Sequence, residues 1–396
     1  MVASSQPADV KWLNPDVLKW AREWRGRTLE EAAKKVGKQP DDIVAWESGD
    51  KTPTVKQART LAKFYDRSFL EFILPGPPPT PEHVSLPDFR MHRHVLPPSE
   101  DWEFQDIQRW VITQRANALD LLDEIGEPPP EIPPGLFAAP SETPERAAER
   151  ARTILDFPIE RQLMMTATDA RKLPDTLRGF FESVGILTLK RTDLVKFGVR
   201  GICLAEFPLP TVVITKEAPT AQAFTLAHEL GHVMRKSSAI SGLREQGRNS
   251  REIEQWCNQF AGAFLMPASV VALAAGQVPV KPAPSISDRK LKGYARSLKV
   301  SPHAMLIRLV DLGYVHSDFY WKVKQPEFVE QEQEYKGGGR AEYYGSRYRS
   351  TQGDLYTGLV LEAWGLDRIT GVKAGKFMGI KNLDHLYDIR DRFGHP

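Results

Sequence analysis

The chain has 396 residues, 41% of them hydrophobic and 26% charged, with 53 Lys+Arg against 51 Asp+Glu for a formal net charge of +2. That is an ordinary globular mixture, long enough for two or three domains of about 100–200 residues each. The near-zero balance excludes a globally basic nucleic-acid coat and an acidic solvating tail, and two cysteines, Cys203 and Cys257, exclude a disulfide scaffold and a four-cysteine zinc site.

Met1 to Val10 lacks the apolar stretch of a signal peptide, and no apolar run approaches the roughly 18 residues of a membrane span. The expected setting is a reducing cytoplasm, with no membrane partner.

Residues 14–75 read as a set of short helices. Asn14 can cap a helix opened by Pro15, with Val17, Leu18 and Ala21 on one side. Thr28-Leu-Glu-Glu31 is a capping box for a second helix, stopped at Gly37. Pro40 opens a third, with Ile43, Val44 and Trp46 as its apolar positions and Gly49 at its end. Thr54 begins a fourth through Leu61 and Tyr65, and a short fifth covers 69–73.

Prolines mark the joints. Residues 74–81 form a semi-rigid linker, and the cluster at 128–134 ends a long helix predicted over 102–125. Trp102, Ile107, Trp110, Val111, Leu119, Leu122 and Ile125 are the expected buried stripe of that helix.

From residue 144 the pattern alternates. Helices over about 144–155 and 174–184 lead to a strand at Gly185–Lys190. Strands at Gly201–Glu206 and Thr211–Thr215 form a hairpin, with Pro208 and Pro210 in its turn. Helices follow at about 219–235 and 250–265, then a helix pair over 285–315. The polar stretch 325–350, centred on Gly337-Gly-Gly339, reads as a loop. The tail from Asp354 to Phe393 reads as short helices, burying Leu359, Val360 and Ala363 on one and Leu383, Leu386 and Ile389 on the last.

The feature that carries chemistry is His228-Glu-Leu-Gly-His232, inside the helical pattern 220–234. Histidines at i and i+4 point the same way from a helix and can grip one metal ion. Glu229 then lies close enough to a metal-bound water to act as general base. Such a site needs a third protein ligand. The next helix offers two carboxylates, Glu252 and Glu254, the second lying 22 residues beyond His232 (254 − 232). Zn²⁺ suits this donor set, and Mn²⁺ or Fe²⁺ can occupy a two-histidine carboxylate site as well.

Phe224-Thr-Leu-Ala-His-Glu-Leu-Gly-His232, followed by Glu254-Gln-Trp-Cys-Asn-Gln-Phe-Ala-Gly-Ala-Phe-Leu-Met-Pro267, closely resembles the ImmA/IrrE family of bacterial metallopeptidases. The resemblance covers about residues 144–320. It implies His228, His232 and Glu254 as metal ligands and Glu229 as the catalytic base. It also implies limited cleavage of a regulator, often a repressor, in stress responses or mobile-element control. Three positions depart from the family pattern. Cys257 stands where Ala is usual, and a small buried residue is the simplest reading of it. Ala223 replaces a frequent Arg, which would change how the motif helix docks. Trp256 adds bulk that would narrow the cleft. Arg251 and His303 are candidates for a second oxyanion donor.

Residues 14–75 resemble the five-helix Cro/C1 (XRE-type) helix-turn-helix domain, with Gln39–Glu47 as recognition helix and Gln39, Pro40, Asp41, Asp42 and Ala45 as its exposed residues. Lys38, Gln39, Asp42 and Lys51 are the candidate DNA contacts. Two aspartates suit a major-groove reader poorly. Residues 1–75 carry 13 Lys+Arg against 11 Asp+Glu, a weak basic balance for phosphate contacts. DNA binding and protein docking both remain open for this domain. Residues Tyr335–Arg349 interleave aromatic and basic side chains, which suits either stacking on single-stranded nucleic acid or a loop over the active-site face. His83, His92 and His94 lie close in sequence but lack the carboxylate or cysteine spacing of a metal site.

The expected fold is α+β and mostly helical. A five-helix domain (1–75) is followed by a linker and long helix (76–143), a zincin-like metallopeptidase domain with a small sheet (144–320), and a Gly/Tyr-rich loop with a helical C-terminal region (321–396). The expected function is zinc-dependent endopeptidase acting on a protein substrate. A regulator or antitoxin-like binding module, with the peptidase fold serving sensing or docking, is the alternative.

Overall fold

The structure is a computed structural model that describes residues 13–65, 67–77, 102–241, 248–333, 344–380 and 382–393. The chain divides into two compact units, residues 1–85 with 99–105 and residues 86–98 with 106–396. The fold is α+β and mostly helical, with one small sheet. Among the described residues no single helix is long and apolar enough to cross a membrane.

The first unit holds α1 (Pro15–Trp24), α2 (Leu29–Val36), α3 (Pro40–Glu47) and α4 (Val55–Phe64), then a 3₁₀ turn at Phe69–Ile73. Local chemistry sets their ends. Asn14 accepts the Asp16 N–H at 3.0 Å. Thr28 with Glu31 and Thr54 with Gln57 form reciprocal capping boxes. Gly37, at φ +67°, closes α2 in the left-handed region.

Val17, Leu18, Ile43, Leu61 and Phe72 fill the core. Arg22 forks onto Glu47 at 2.7 and 2.8 Å and pins α1 to α3. Val44, expected among the apolar positions of α3, is 46% exposed. Ile43 and Trp46 already occupy the core side of this short helix, and Val44 is turned about 100° from Ile43. The segment with His83, His92 and His94 lies outside the described residues.

The second unit contains most of α5 (Trp102–Ile125). Its buried stripe there is Ile107, Val111, Ala118, Leu121 and Leu122. Trp110, Leu119 and Ile125 are only half-buried; at Leu119 the helical period turns Ala118 inward instead. Trp110 carries the Arg191 guanidinium over its ring at 4.7 Å.

Next come α6 (Pro144–Ile154), α7 (Ile159–Met164), α8 (Ala167–Arg171) and α9 (Leu173–Ser183). The sequence reading missed α7 and α8, which are too short to show a period.

The sheet has β1 (Leu187–Lys190), β2 (Gly201–Leu204), β3 (Thr211–Ile214) and β4 (Ala239–Ser241), in the order β1-β3-β2-β4. β1 runs parallel to β3, and β2 is antiparallel to both its neighbours. Thus β2 is fixed on both sides, Gly201 facing Ile214 of β3 and Ser241 of β4. The three-residue β4 was not foreseen.

Helix α10 (Pro219–Met234) packs on β2 and β3 and against α11 (Arg248–Leu265). Then follow α12 (Ala268–Ala275), α13 (Asp288–Leu298), α14 (Pro302–Asp311) and the one-turn α15 (Ser317–Phe319). A single π-helical turn, Tyr320–Lys324, leads into α16 (Gln325–Gln333). The C-terminal helices are α17 (Tyr344–Gly365), α18 (Gly371–Phe377) and α19 (Leu383–Arg392).

The 325–350 segment is therefore helical at both ends, its Gln- and Glu-rich start being good helix-forming sequence. Residues 334–343 lie outside the described residues. Tyr348 is 6% exposed and Arg349 is paired with Asp354 at 2.9 Å, so the structure does not offer Tyr348 for base stacking. Leu383, expected inside, is 41% exposed at the first position of α19, while Leu386 and Ile389 are buried.

α17 is bent at Gly353, whose φ is +77°. The Glu182 carboxylate of α9 accepts the N–H groups of Asp354 and Leu355, both at 2.9 Å, and so caps the helix that restarts after the bend. A Cβ at Gly353 would come within 2.2 Å of Glu182 Oε1. The C-terminal helices are thereby anchored on α9 and β1.

Lys190, at the end of β1, is pulled down to about 8 by burial, with the nearby Arg178 adding to the effect. An unfolded lysine titrates near 10.4, so below pH ~8 both states are charged and burial costs stability in full. As pH rises from about 8 to 10.4 the folded chain holds fewer protons than the unfolded one, and stability rises. Lys190→Met is expected to stabilise by about 1–3 kcal/mol at neutral pH, an advantage that fades by about pH 10. Denaturant titrations across that range check it; an advantage independent of pH would contradict the assignment.

Candidate metal centre

α10 is buried on almost every side from Gln222 to Met234, because the sheet covers one face and α11 the other. The two helices approach closely at Gly231. A Cβ there would meet Cys257 Sγ at 3.1 Å and its Cα at 3.3 Å. Cys257 is a fully buried small residue at this crossing, and burial pushes its thiol pKa well up. Ala223 is buried in the core at the start of α10.

This crossing brings three side chains together. His228 Nε2 lies 3.0 Å from Glu254 Oε2, His232 Nε2 lies 2.9 Å from Glu254 Oε1, and the two Nε2 atoms are 3.1 Å apart. One ligand atom from each group falls within 4.8 Å of the others. Glu252 is not part of the group.

On the other side of the ring, His228 Nδ1–H donates to Asn258 Oδ1 at 3.1 Å. An amide oxygen can only accept, so this bond directs the Nε2 lone pair at the cluster.

Burial pushes the Glu254 carboxyl up, but hydrogen bonds from His228 and His232 outweigh it and hold it down at about 2. Burial works against charge on His228, yet Glu254, Glu229 and Asn258 together raise its pKa. Burial lowers His232. The arrangement therefore gathers two imidazole nitrogens around an ionised carboxylate. Two nitrogens and a carboxylate are the donors a divalent Zn²⁺, Mn²⁺ or Fe²⁺ ion takes. The residues fit a metal.

Asn258→Ala is expected to weaken metal affinity about 10–100-fold without removing a ligand. Competition with a chelator reads this directly; unchanged affinity would show that the bond has no orienting role.

Glu229 takes a different position. Its side chain is fully buried against β2, where a Cβ on Gly201 would lie 2.2 Å from Oε1. Glycine at 201 is what leaves room for this carboxylate.

The helix carrying Glu254 is held at its far end by buried side chains from three other helices. Arg152 donates to the Phe264 carbonyl at 2.6 Å, Gln162 to Leu265 at 2.9 Å, and Arg308 to Met266 at 3.0 Å. These satisfy carbonyls that a helix terminus leaves without intrahelical partners. Burial brings Arg152 down to about 10.

His228, Glu254 and Asn258 open onto a cavity of about 940 Å³, which Arg200 and Arg251 also line. Trp256 does not narrow it. Its ring stacks on Phe260 at 5.4 Å and its Nε1–H donates to the Glu142 carbonyl at 2.9 Å, away from the cavity. The helical period explains this, since position 256 is turned about 160° from 254. His303 is not in the lining. Its Nε2 pairs with the Tyr320 hydroxyl at 3.0 Å, and its ring stacks on Phe328 at 4.7 Å. Tyr320 itself lines the cavity.

In the first unit, Gln39 is the N-cap position of α3. Asp42 accepts the Gln39 N–H at 3.2 Å and faces Lys51 Nζ at 3.8 Å; Lys38 is exposed. Asp42 thus serves the helix start, and its charge is met by Lys51.

Asn258, Gly201, Tyr320 and Trp321 were not read as site residues. Asn258 had a signal, one helical turn after Glu254, and so did Gly201, a glycine opening a strand. Tyr320 and Trp321 had none.

Residues 183–309 match the family model of the IrrE N-terminal-like domain, a peptidase family, and residues 18–72 match the helix-turn-helix model. The chain therefore carries a helix-turn-helix domain ahead of an IrrE/ImmA-like peptidase domain. No curated protein gives a significant match to the chain.

Proposed function

We propose that the chain is a zinc-dependent endopeptidase that makes limited cuts in a regulatory protein, a transcriptional repressor by preference. Its setting would be a cytoplasmic stress or defence response of a bacterium or mobile element. The observation that supports it most is the convergence of His228, His232 and Glu254 within 4.8 Å, at the edge of an open cleft. The IrrE-like match over the same residues supports the reaction class.

In this reading His228, His232 and Glu254 hold the metal, and Asn258 and the α10–α11 crossing orient them. The metal, when bound, supplies a Lewis acid for the attacking water and the scissile carbonyl. Glu229 takes the proton from the water and returns it to the leaving amine. The helix-turn-helix unit brings the enzyme to DNA or to a DNA-bound substrate.

Terminal proteomics of cells expressing the wild type or Glu229→Gln tests this. One or a few new protein N-termini should appear with the wild type only. The same termini with both proteins, or none with either, would sink the proposal.

A further inference from the structure

The cavity that opens at His228 and Glu254 continues along α11. Its lining there includes Glu254, Asn258, Gly262 and Met266, a four-residue step that keeps to one face of the helix. At about 1.5 Å per residue this floor extends roughly 18 Å from the ligand end, the reach of about five extended residues. Gly262 keeps the floor low: a Cβ there would meet only Arg308 Cδ, at 3.6 Å.

The chemistry changes along the way. Beside the metal ligands stand the amides of Gln255, Asn258 and Gln259, suited to a peptide backbone. Farther on the lining includes Met266, buried beneath the floor, and Ala304, Ile307 and Val310 on α14, together with Arg308 and Asp311 of the same helix. The π-helical turn adds Tyr320 and Trp321. Trp321 is 64% exposed and stands edge-on to Tyr320, with ring centroids 4.8 Å apart. The stack of Tyr320 on His303 braces that turn. Single π turns recur at functional sites, and an exposed aromatic at the mouth of a concave apolar surface is the usual anchor of a binding site. Val310, Tyr320 and Trp321 fall after residue 309, where the match to the IrrE N-terminal-like domain stops.

We propose that this groove binds an extended peptide segment on one side of the scissile bond and selects a large apolar side chain, seated among Met266, Ile307 and Trp321. The inference rests on the peptidase reading and names the substrate class it would take.

The test uses the full-length, zinc-loaded chain and acetylated pentapeptides. One is all glycine, and the others carry a single Phe at each position in turn. Each is made as a plain amide and with a hydroxamate at one end or the other. Affinities are measured by calorimetry. Phe at one position should tighten binding about tenfold or more over glycine, in the amide and hydroxamate series alike. Trp321→Ala and Gly262→Leu should each abolish that gain and leave the affinity of acetohydroxamate unchanged. Phe no better than Gly at every position, or a gain that survives both substitutions, overturns the inference. Failure of the metal reading looks different: hydroxamates would bind no tighter than amides.

Discussion

Glu254→Gln is expected to take the bound metal from about one ion per chain to none and to remove the metal's contribution to stability. At a free metal concentration about 1,000 times its Kd, the wild type gains about 4 kcal/mol by mass action. For a unit of about 300 residues that is a rise in Tm of roughly 6 °C, which the variant should lack. The same substitution makes a prediction for the metal-free chain. Glu254 is held at about 2 because His228 and His232 donate to it, against the push of burial. A carboxyl with a folded pKa below its unfolded value of about 4.3 contributes stability above that value and loses it as pH falls towards about 2. Metal-free wild type should therefore lose up to about 3 kcal/mol over that window, and Glu254→Gln should show none of that component. Metal analysis and pH-dependent melts read both effects. A variant that keeps its metal would move the third ligand elsewhere.

Most of the His228–His232–Glu254 cluster was legible because helical spacing is short-range geometry. His228 and His232 share a face whatever the rest of the fold does, and Glu254 sits on the next predicted helix. The caps at Asn14, Thr28 and Thr54 were legible for the same reason. The errors came from tertiary packing. Trp256 was expected to narrow the cleft by its bulk, yet two residues along a helix from Glu254 is almost the opposite face. Leu119 lost its place to Ala118 because the stripe of α5 follows the helical period, not residue size. The stretch after 320 read as a loop on composition, but its π turn and α16 pack against α14, and no local pattern announces that contact. The cleft's apolar wall was invisible for the same reason.

The site's least visible requirement is Gly201, and Gly201→Ala is expected to damage catalysis as severely as loss of Glu229. The added Cβ would lie 2.2 Å from Glu229 Oε1, 2.8 Å from its Cδ and 2.9 Å from Thr225 Cγ2. The strand cannot back away, since β2 is paired through Gly201 to Ile214 on one side and Ser241 on the other. Thr225, one turn before Glu229 on α10, blocks retreat along the helix. The carboxylate must leave its position. Losing a positioned general base costs about 10²–10⁴ in rate, and overpacking a core position costs about 1–3 kcal/mol of stability. Metal content should stay near one ion per chain, because no ligand is touched. Rates would be measured on the substrate recovered by terminal proteomics. The decisive comparison is a double-mutant cycle: on a Glu229→Gln background, Gly201→Ala should add almost nothing to the loss, because both changes remove the same function. Multiplicative losses would mean that Gly201 serves the sheet or the substrate independently of the base, and that the space left by its missing side chain has no part in seating Glu229.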